Sequence, residues 1–446
     1  MKRKSSVWAL LMIVLAVAVL SACGKNSNSA DSGGTTATNS GGTTETDTSK
    51  NDKPLSGTVL HTISSPSNEE FFAKINQEFK DKTGIDVQVD TVGYNDVAPK
   101  LMNSFMAGGS TYDLFVMDVI DLPRFVSAGW VAPVDQWITD DMKKDLLPFA
   151  AQALQYQGKF YGLPYASEYK SFVYNKTLLE KAGFTAPPKT WDEFIAYSKA
   201  LQEKGIVKYA SAWAWSQTEG LVCDFVAIAS SMGGKLFDDS GNPVLNSPEN
   251  VKALQLMVDM IYKDKIVDPA SLQYNESNVL NAMSAGDIAF ELNWGLPLTP
   301  LNDASQSKIV GQADVAPLPY TVSSATIAGP MSYAISAGSK NKDAAWEYIK
   351  FLNDQNGAKR QALEIGMFPG WKSVYEDAEV KSGVPGLDKI LEQAEVAVNR
   401  PQIPWYNEWS SKFQVELQNA LTQKKTPQQA LDDAMAESLK VKESNS

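Results

Sequence analysis

From residue 55 onward the hydrophobic positions follow two periods in turn, one of two residues and one of about 3.6. Gly57 to Ile63 is a strand-like run, Ser67 with Glu70 three residues on reads as a capping box, and Phe72, Ile75 and Phe79 recur behind it at helical spacing. Gly84 can end that helix in the left-handed conformation, after which Ile85 to Val89 alternates as a strand. A second helix is predicted over Val97 to Met106, closed by Gly108-Gly109, and a third strand over Leu114 to Met117 with Asp118 at its end. Strand, helix, strand, helix, strand predicts a parallel sheet with helices on its faces. Ligands of such sheets sit beyond the carboxyl ends of the strands, which puts the Ser64 to Glu69 and Asp118 to Asp121 loops on one rim.

The middle and end of the chain are more helical. Thr190 with Glu193 forms another capping box, Ala345, Tyr348, Ile349 and Leu352 are spaced by three and four, and Thr426-Pro427-Gln428-Gln429 puts proline in a first helical turn. Before residue 55 the pattern is different. Lys2, Arg3 and Lys4 precede an apolar run from Val7 to Leu20, roughly fourteen residues against the ~20 that a helix needs to cross a bilayer, which is the order of an export signal. Leu20-Ser21-Ala22-Cys23 resembles a bacterial lipobox, implying cleavage after residue 22 and acylation of Cys23. From residue 23 to 54 there is no bulky aliphatic or aromatic side chain, so this stretch reads as a flexible linker with a reach on the order of 30 Å.

Composition narrows the function by exclusion. A formal net charge of -12 argues against nucleic acid, whose phosphates demand a basic face. One histidine, His61, and one cysteine besides Cys23, namely Cys223, leave an imidazole or thiolate metal site without ligands. Cys223 sits among apolar residues as a small core hydrophobe, and His61 lies inside a strand. Neither Gly108-Gly109 nor Gly233-Gly234 carries the pattern of a phosphate loop, so no cofactor is expected.

Read in order, four stretches resemble one family. They are Gly109-Ser110-Thr111-Tyr112-Asp113-Leu114-Phe115, then Tyr161-Gly162-Leu163-Pro164-Tyr165 running to Tyr174-Asn175-Lys176, then Pro188 to Phe194, and Ile335 to Lys340 before Trp346-Glu347. The set is similar to the family-1 extracellular solute-binding proteins, the group of the maltose- and maltodextrin-binding proteins of ABC importers. The resemblance implies an α/β chain with the two-lobed periplasmic-binding-protein fold, hinge-crossing strands and a C-terminal helical part. One lobe would take 55–163 plus 293–329 and the other 164–292 plus 330–440, closing on a ligand by a hinge. It also implies an extracytoplasmic, lipid-anchored monomer that hands a di- or oligosaccharide to permease subunits.

For the polar contacts the same comparison points to Asn68 and Glu69 after the first strand, Asp118 after the third, and Glu168 past the first crossing, with Asp121, Gln217 and Glu219 behind them. Asn293-Trp294 resembles the trehalose- and maltose-binding members, although Gly295-Leu296-Pro297 departs from them. Aromatic rings suit the C–H faces of sugars. Trp294, Trp371 and Trp405 stand in loops flanked by glycine or proline, and Trp213 and Trp215 alternate so that they share one face of an extended segment. Two other readings stay open here. A lipid-anchored glycoside hydrolase needs only two carboxylates, for which Glu168 and Asp118 are available, and a sugar sensor could use the same cleft.

Overall fold

The computed structural model describes residues 55–64, 68–108, 111–238 and 240–445. The expected signal, lipobox, Cys23 and linker lie outside these residues, as do Ser67 of the first capping box and Gly109.

The elements that position the cleft are numbered here in chain order. β1 (Val59–Ser64) leads through Asn68 into α1 (Glu69–Thr83), whose Phe71, Ile75 and Phe79 form the buried stripe while Phe72 is only half-buried. Asn68 takes a left-handed conformation at φ 60°, which asparagine tolerates better than most residues. Gly84 ends α1 at φ 73°, its N–H bonded to the Lys80 carbonyl. β2 (Asp86–Thr91), α2 (Tyr94–Met106) and β3 (Leu114–Asp118) follow as the pattern implied. Next come β4 (Leu163–Ala166), β5 (Lys170–Asn175), α3 (Trp191–Glu203), α4 (Glu219–Ser231), α5 (Glu276–Ala285), β6 (Phe290–Trp294) and β7 (Ala313–Ala316). The remainder is β8 (Thr326–Ala328), β9 (Met331–Ile335), α6 (Lys342–Asn353), β10 (Ala397–Asn399), α7 (Tyr406–Leu421) and α8 (Pro427–Ser444).

Two helix starts follow the sequence signals, while α1 starts from Asn68 without a side-chain cap bond. Thr190 Oγ1 accepts from Glu193 N, while the Glu193 carboxylate reaches one residue further than the box implied, to Lys189 N at 2.7 Å. At α8 both bonds of the Thr426–Gln429 box are made, at 3.1 and 3.2 Å.

Two sheets anchor two lobes. The first has the order β2-β1-β3-β9-β4, with β1 parallel to β2 and β3, and β9 antiparallel to β3 and β4. The second has the order β6-β5-β7, antiparallel throughout. All five residues of β3 and all six of β5 are buried, which explains why Leu114 to Met117 reads as a continuous apolar run with no alternation; in β5 only Phe172 to Tyr174 does, between the buried Lys170 and Ser171 and the buried Asn175. Ala345, Tyr348, Ile349 and Leu352 of α6 join the core beneath the first sheet, whereas Trp409, Phe413 and Leu417 of α7 and Leu431 and Ala434 of α8 pack in that of the second.

This pairing differs from the expected allocation in two places. Asn293, Trp294 and Ala313–Ala316 pair in the second sheet, Asn293 with Ser171 and Val315 with Val173, while Leu296, Leu298, Leu301 and Ile309 between them pack in the first core. Met331–Ile335 returns to the first sheet, so the segment after residue 330 divides between the lobes. Periodicity identifies a strand but says nothing of its partner, and the second edge of β5 was filled by a four-residue strand with too little sequence to announce itself. The chain crosses between sheets at Ser167–Tyr169, joined to the return crossing by the Tyr169–Ala328 bridge and by the Gly329 N–H on the Glu168 carbonyl at 2.9 Å.

Candidate functional site

Between the sheets runs a trough of three adjoining cavities of about 450, 610 and 310 Å³. Met331, at the start of β9, lines all three; Tyr94, Asp118 and Glu219 are shared by the first and the central one, and Glu168 and Trp294 by the central one and the last. Asp118 ends β3 and Tyr94 opens α2, so the rim lies beyond the carboxyl ends of the first sheet's strands. The opposite wall comes from the N-termini of α4 and α5 and the end of β6.

Arg400 lies at the centre. Its Nη2 donates to Asp118 Oδ1 at 2.8 Å and its Nη1 to Glu219 Oε1 at 3.2 Å, tying a first-lobe carboxylate to a second-lobe one. Tyr94 Oη donates to the other Asp118 oxygen at 2.6 Å, and Tyr406 Oη to Glu219 Oε1 at 2.6 Å. The guanidinium is 2% exposed. Burial works against its charge, but the facing Asp118 carboxylate outweighs that and keeps it protonated.

A second buried cation holds the aromatic wall. Lys170 Nζ lies 2.6 Å from Asp224 Oδ1, 3.4 Å from Glu276 Oε1 and 5.2 Å from the centre of the Trp294 ring. Trp294 Nε1 donates to Glu276 Oε1 at 3.2 Å. Burial opposes ionisation of Glu276, yet the Lys170 charge and these hydrogen bonds hold its carboxyl below the usual range. The indole is thus fixed from its edge and by a cation near its face. Gly329 is needed opposite it, since a Cβ there would stand 2.7 Å from Trp294 Cη2 and 3.2 Å from Arg400 Nη2.

Glu168 is different from the other carboxylates. It lies in the Ser167–Tyr169 crossing and lines the two cavities that meet at Trp294, and its carboxylate has no hydrogen-bond or ionic partner among the described residues. Burial alone pushes it up to about 7.

Among the residues expected at the site, Asn68, Asp118, Glu168, Asn293 and Trp294 are brought together along the trough. Glu69 points elsewhere and lines a separate cavity on the α1 side of the first sheet. Trp213 and Trp215 do share a face, stacked at 5.5 Å, but both are fully buried in the second core rather than in the trough. Trp371 is buried with its Nε1 on Asn353 Oδ1, and Trp405 packs against Phe237 at the start of α7. Arg400, Glu276, Tyr94 and Gly329 were missed. Arg400 stands directly before the Pro401 loop that carries Trp405, and Glu276 hides behind Asn275, which reads only as a helix cap.

The sequence profile of the bacterial extracellular solute-binding proteins matches residues 65–359. The chain belongs to this family. A maltotriose-binding protein of Pyrococcus abyssi is 28% identical over 319 residues, covering 68% of this chain and 66%, just under two thirds, of that relative. A probable amino-acid ABC transporter periplasmic-binding protein of Sinorhizobium fredii is 26% identical over 400 residues, 85% of this chain and 88% of the relative. Among solved structures, maltose-bound MalE3 of T. maritima has a TM-score of 0.80 at 28% identity, covering 85% of this chain and 99% of that one. A solute-binding protein of Agrobacterium radiobacter in complex with ribitol gives 0.79 at 27% identity, with 87% and 100% covered. These named relatives are binding proteins, and this solute-binding protein shares their two-lobed fold. Among its described residues no helix is long and apolar enough to cross a membrane, and no group of three or more His, Cys, Asp or Glu side chains could hold a metal ion.

Proposed function

We propose that this solute-binding protein captures a neutral di- or oligosaccharide in the interlobe trough and delivers it to the permease of an ABC importer, held at the outer face of the membrane by lipid on Cys23. The observation that carries the ligand class is the pairing of Trp294 with Glu168. A fixed indole offers a face for sugar C–H groups, and beside it an unpartnered carboxylate waits for a hydroxyl. The maltotriose, maltose and ribitol of the named relatives agree with that chemistry.

The charge inventory separates this reading from an amino acid, which one relative's description suggests. A zwitterion's carboxylate is met by a cation or by a helix N-terminus. In the central cavity and the one beyond Trp294, Arg400 is the one cationic lining side chain among the described residues, and both its Nη atoms are taken by Asp118 and Glu219; Arg124 lines only the first cavity, which neither Trp294 nor Glu168 reaches. Closure uses the paired crossings at Ser167–Tyr169 and Gly329, with Arg400 spanning the lobes where they meet. The chain acts as a monomer.

A thermal-shift screen of the full chain against neutral sugars, polyols and amino acids tests the assignment, since a ligand selective for the native state raises the melting temperature. A rise with one or more neutral sugars and none with amino acids is expected. The reverse pattern contradicts the carbohydrate reading.

A further inference from the structure

Away from the trough, the first lobe carries a second recess. Phe71, Ile75 and Phe79 of α1 cover the early residues of the strands, where Leu60 and Val87 are buried in the same core. Further along, Thr62, Ser64, Val89 and Thr91 face a cavity of about 360 Å³ closed on the other side by Phe72 and Asn76 of α1. Val89 stays 40% exposed, unusual for an apolar strand residue beneath a helix.

The chemistry of this cavity is specific. Tyr333, on β9, is 4% exposed, and its hydroxyl has no hydrogen-bond partner among the described residues. A buried donor left unmade is costly, and such groups are rare unless a ligand or water completes them. Beside it Tyr348 Oη donates to Asn76 Oδ1 at 2.7 Å. Hydroxyl and amide side chains, with the exposed Glu69 carboxylate beside them, therefore surround one aromatic face, Phe72. The one cationic lining side chain among the described residues, Lys80, is engaged by Asp86 at 2.9 Å, so an anion finds no free cation there. At about 360 Å³ the space falls at the small end of the ~300–1,000 Å³ range of ligand sites, enough for one ring and too little for an oligomer.

We infer that this cavity is an accessory binding site for a single neutral polyhydroxylated molecule, a monosaccharide or small polyol, with Tyr333 Oη hydrogen-bonded to it and the Phe72 ring against its apolar face. The site is linked to the trough through a shared wall. Phe72 stacks on Tyr165 at 6.3 Å, Tyr165 meets Tyr333 edge-on at 5.0 Å, and Tyr165 itself lines the cavity that holds Asn68 and Glu168. An occupant on one side thus bears on the ring that shapes the other.

The test uses the full chain with 3-fluorotyrosine, D-glucose and ribitol as probes, and the 19F resonance of Tyr333 assigned with Tyr333→Phe. Measured in a Glu168→Gln/Trp294→Ala background, which weakens the trough, the Tyr333 signal should shift saturably with a dissociation constant on the order of millimolar. Ala73→Phe, a substitution at an exposed α1 position on the cavity's edge, should weaken that response about tenfold and leave trough affinity in the otherwise native chain within about twofold. A Tyr333 signal that does not move with either probe, or one that moves equally with and without Ala73→Phe, overturns the accessory site. Because the readout is taken with the trough disabled, its failure is distinct from failure of the trough assignment.

Discussion

The rim of the Trp294 indole occupies the space that a side chain on Gly329 would need, with only 2.7 Å between Cη2 and an added Cβ. Trp294 belongs to the second sheet and Gly329 to the crossing back to the first, so the contact ties the ligand wall to the hinge. Gly329→Ala should therefore displace the indole or Arg400 and weaken ligand binding about tenfold, with at most about 1–3 kcal/mol lost from the fold. Calorimetric titration alongside urea unfolding checks both numbers. Unchanged affinity in a folded variant would remove this contact from the site.

Arg400 neutralises a buried carboxylate, Asp118, and a half-buried one, Glu219, from opposite lobes. Arg400→Gln leaves Asp118 and Glu219 facing each other without their cation, and breaking such a buried pair costs about 3–5 kcal/mol. The urea midpoint should drop accordingly. A loss below about 1 kcal/mol would mean that the bridge behaves like an exposed pair.

Stability should fall as pH rises toward neutrality. Glu291 is fully buried with one carboxylate oxygen unpartnered, and burial pushes it up to about 7, as it does Glu168; Asp121 reaches about 7 through burial and then the neighbouring Asp118 charge. An unfolded glutamate titrates near ~4.3, so between that value and about 7 the folded chain holds protons that the unfolded chain has released. The stabilisation from these groups is complete below the unfolded value and is lost as pH rises through about 7. Glu291→Gln should flatten the decline in urea midpoint between pH 5 and 8 to a measurable degree, values chosen to bracket about 7. A midpoint that climbs over that range contradicts the burial argument.

Trp215 is packed against Trp213 with no exposure. Trp215→Ala should cost about 3–5 kcal/mol by opening a cavity, while any protein that still folds keeps its ligand affinity. A large affinity loss at unchanged stability would move Trp215 to the trough.

These two tryptophans mark how far the sequence carried. Their alternation disclosed a shared face, and the face is real, but alternation is equally compatible with a core and with a cleft. The place of Trp294 at the end of a strand and before a glycine was legible, and the structure puts it on the trough. The first three strands and their helices were legible from periodicity and caps, and Gly84 from its place after an amphipathic run. Arg400 and Glu276 were not, because a lone charge in sequence looks solvated; its role came from partners 282 and 106 residues away, Asp118 and Lys170 respectively. Strand partnership was illegible for the same reason, as β7 shows by pairing with β5 across 140 residues at Tyr174 and Asp314.

The most direct measurement is calorimetric titration of the native chain and of Trp294→Ala with the neutral sugar that gives the largest thermal shift. Expected is a dissociation constant of about a micromolar or tighter for the native chain and at least about tenfold weaker binding for a variant that melts within a few degrees of it. Equal affinity in the two, or no neutral sugar bound by the native chain, would contradict a carbohydrate site built on Trp294 and Glu168.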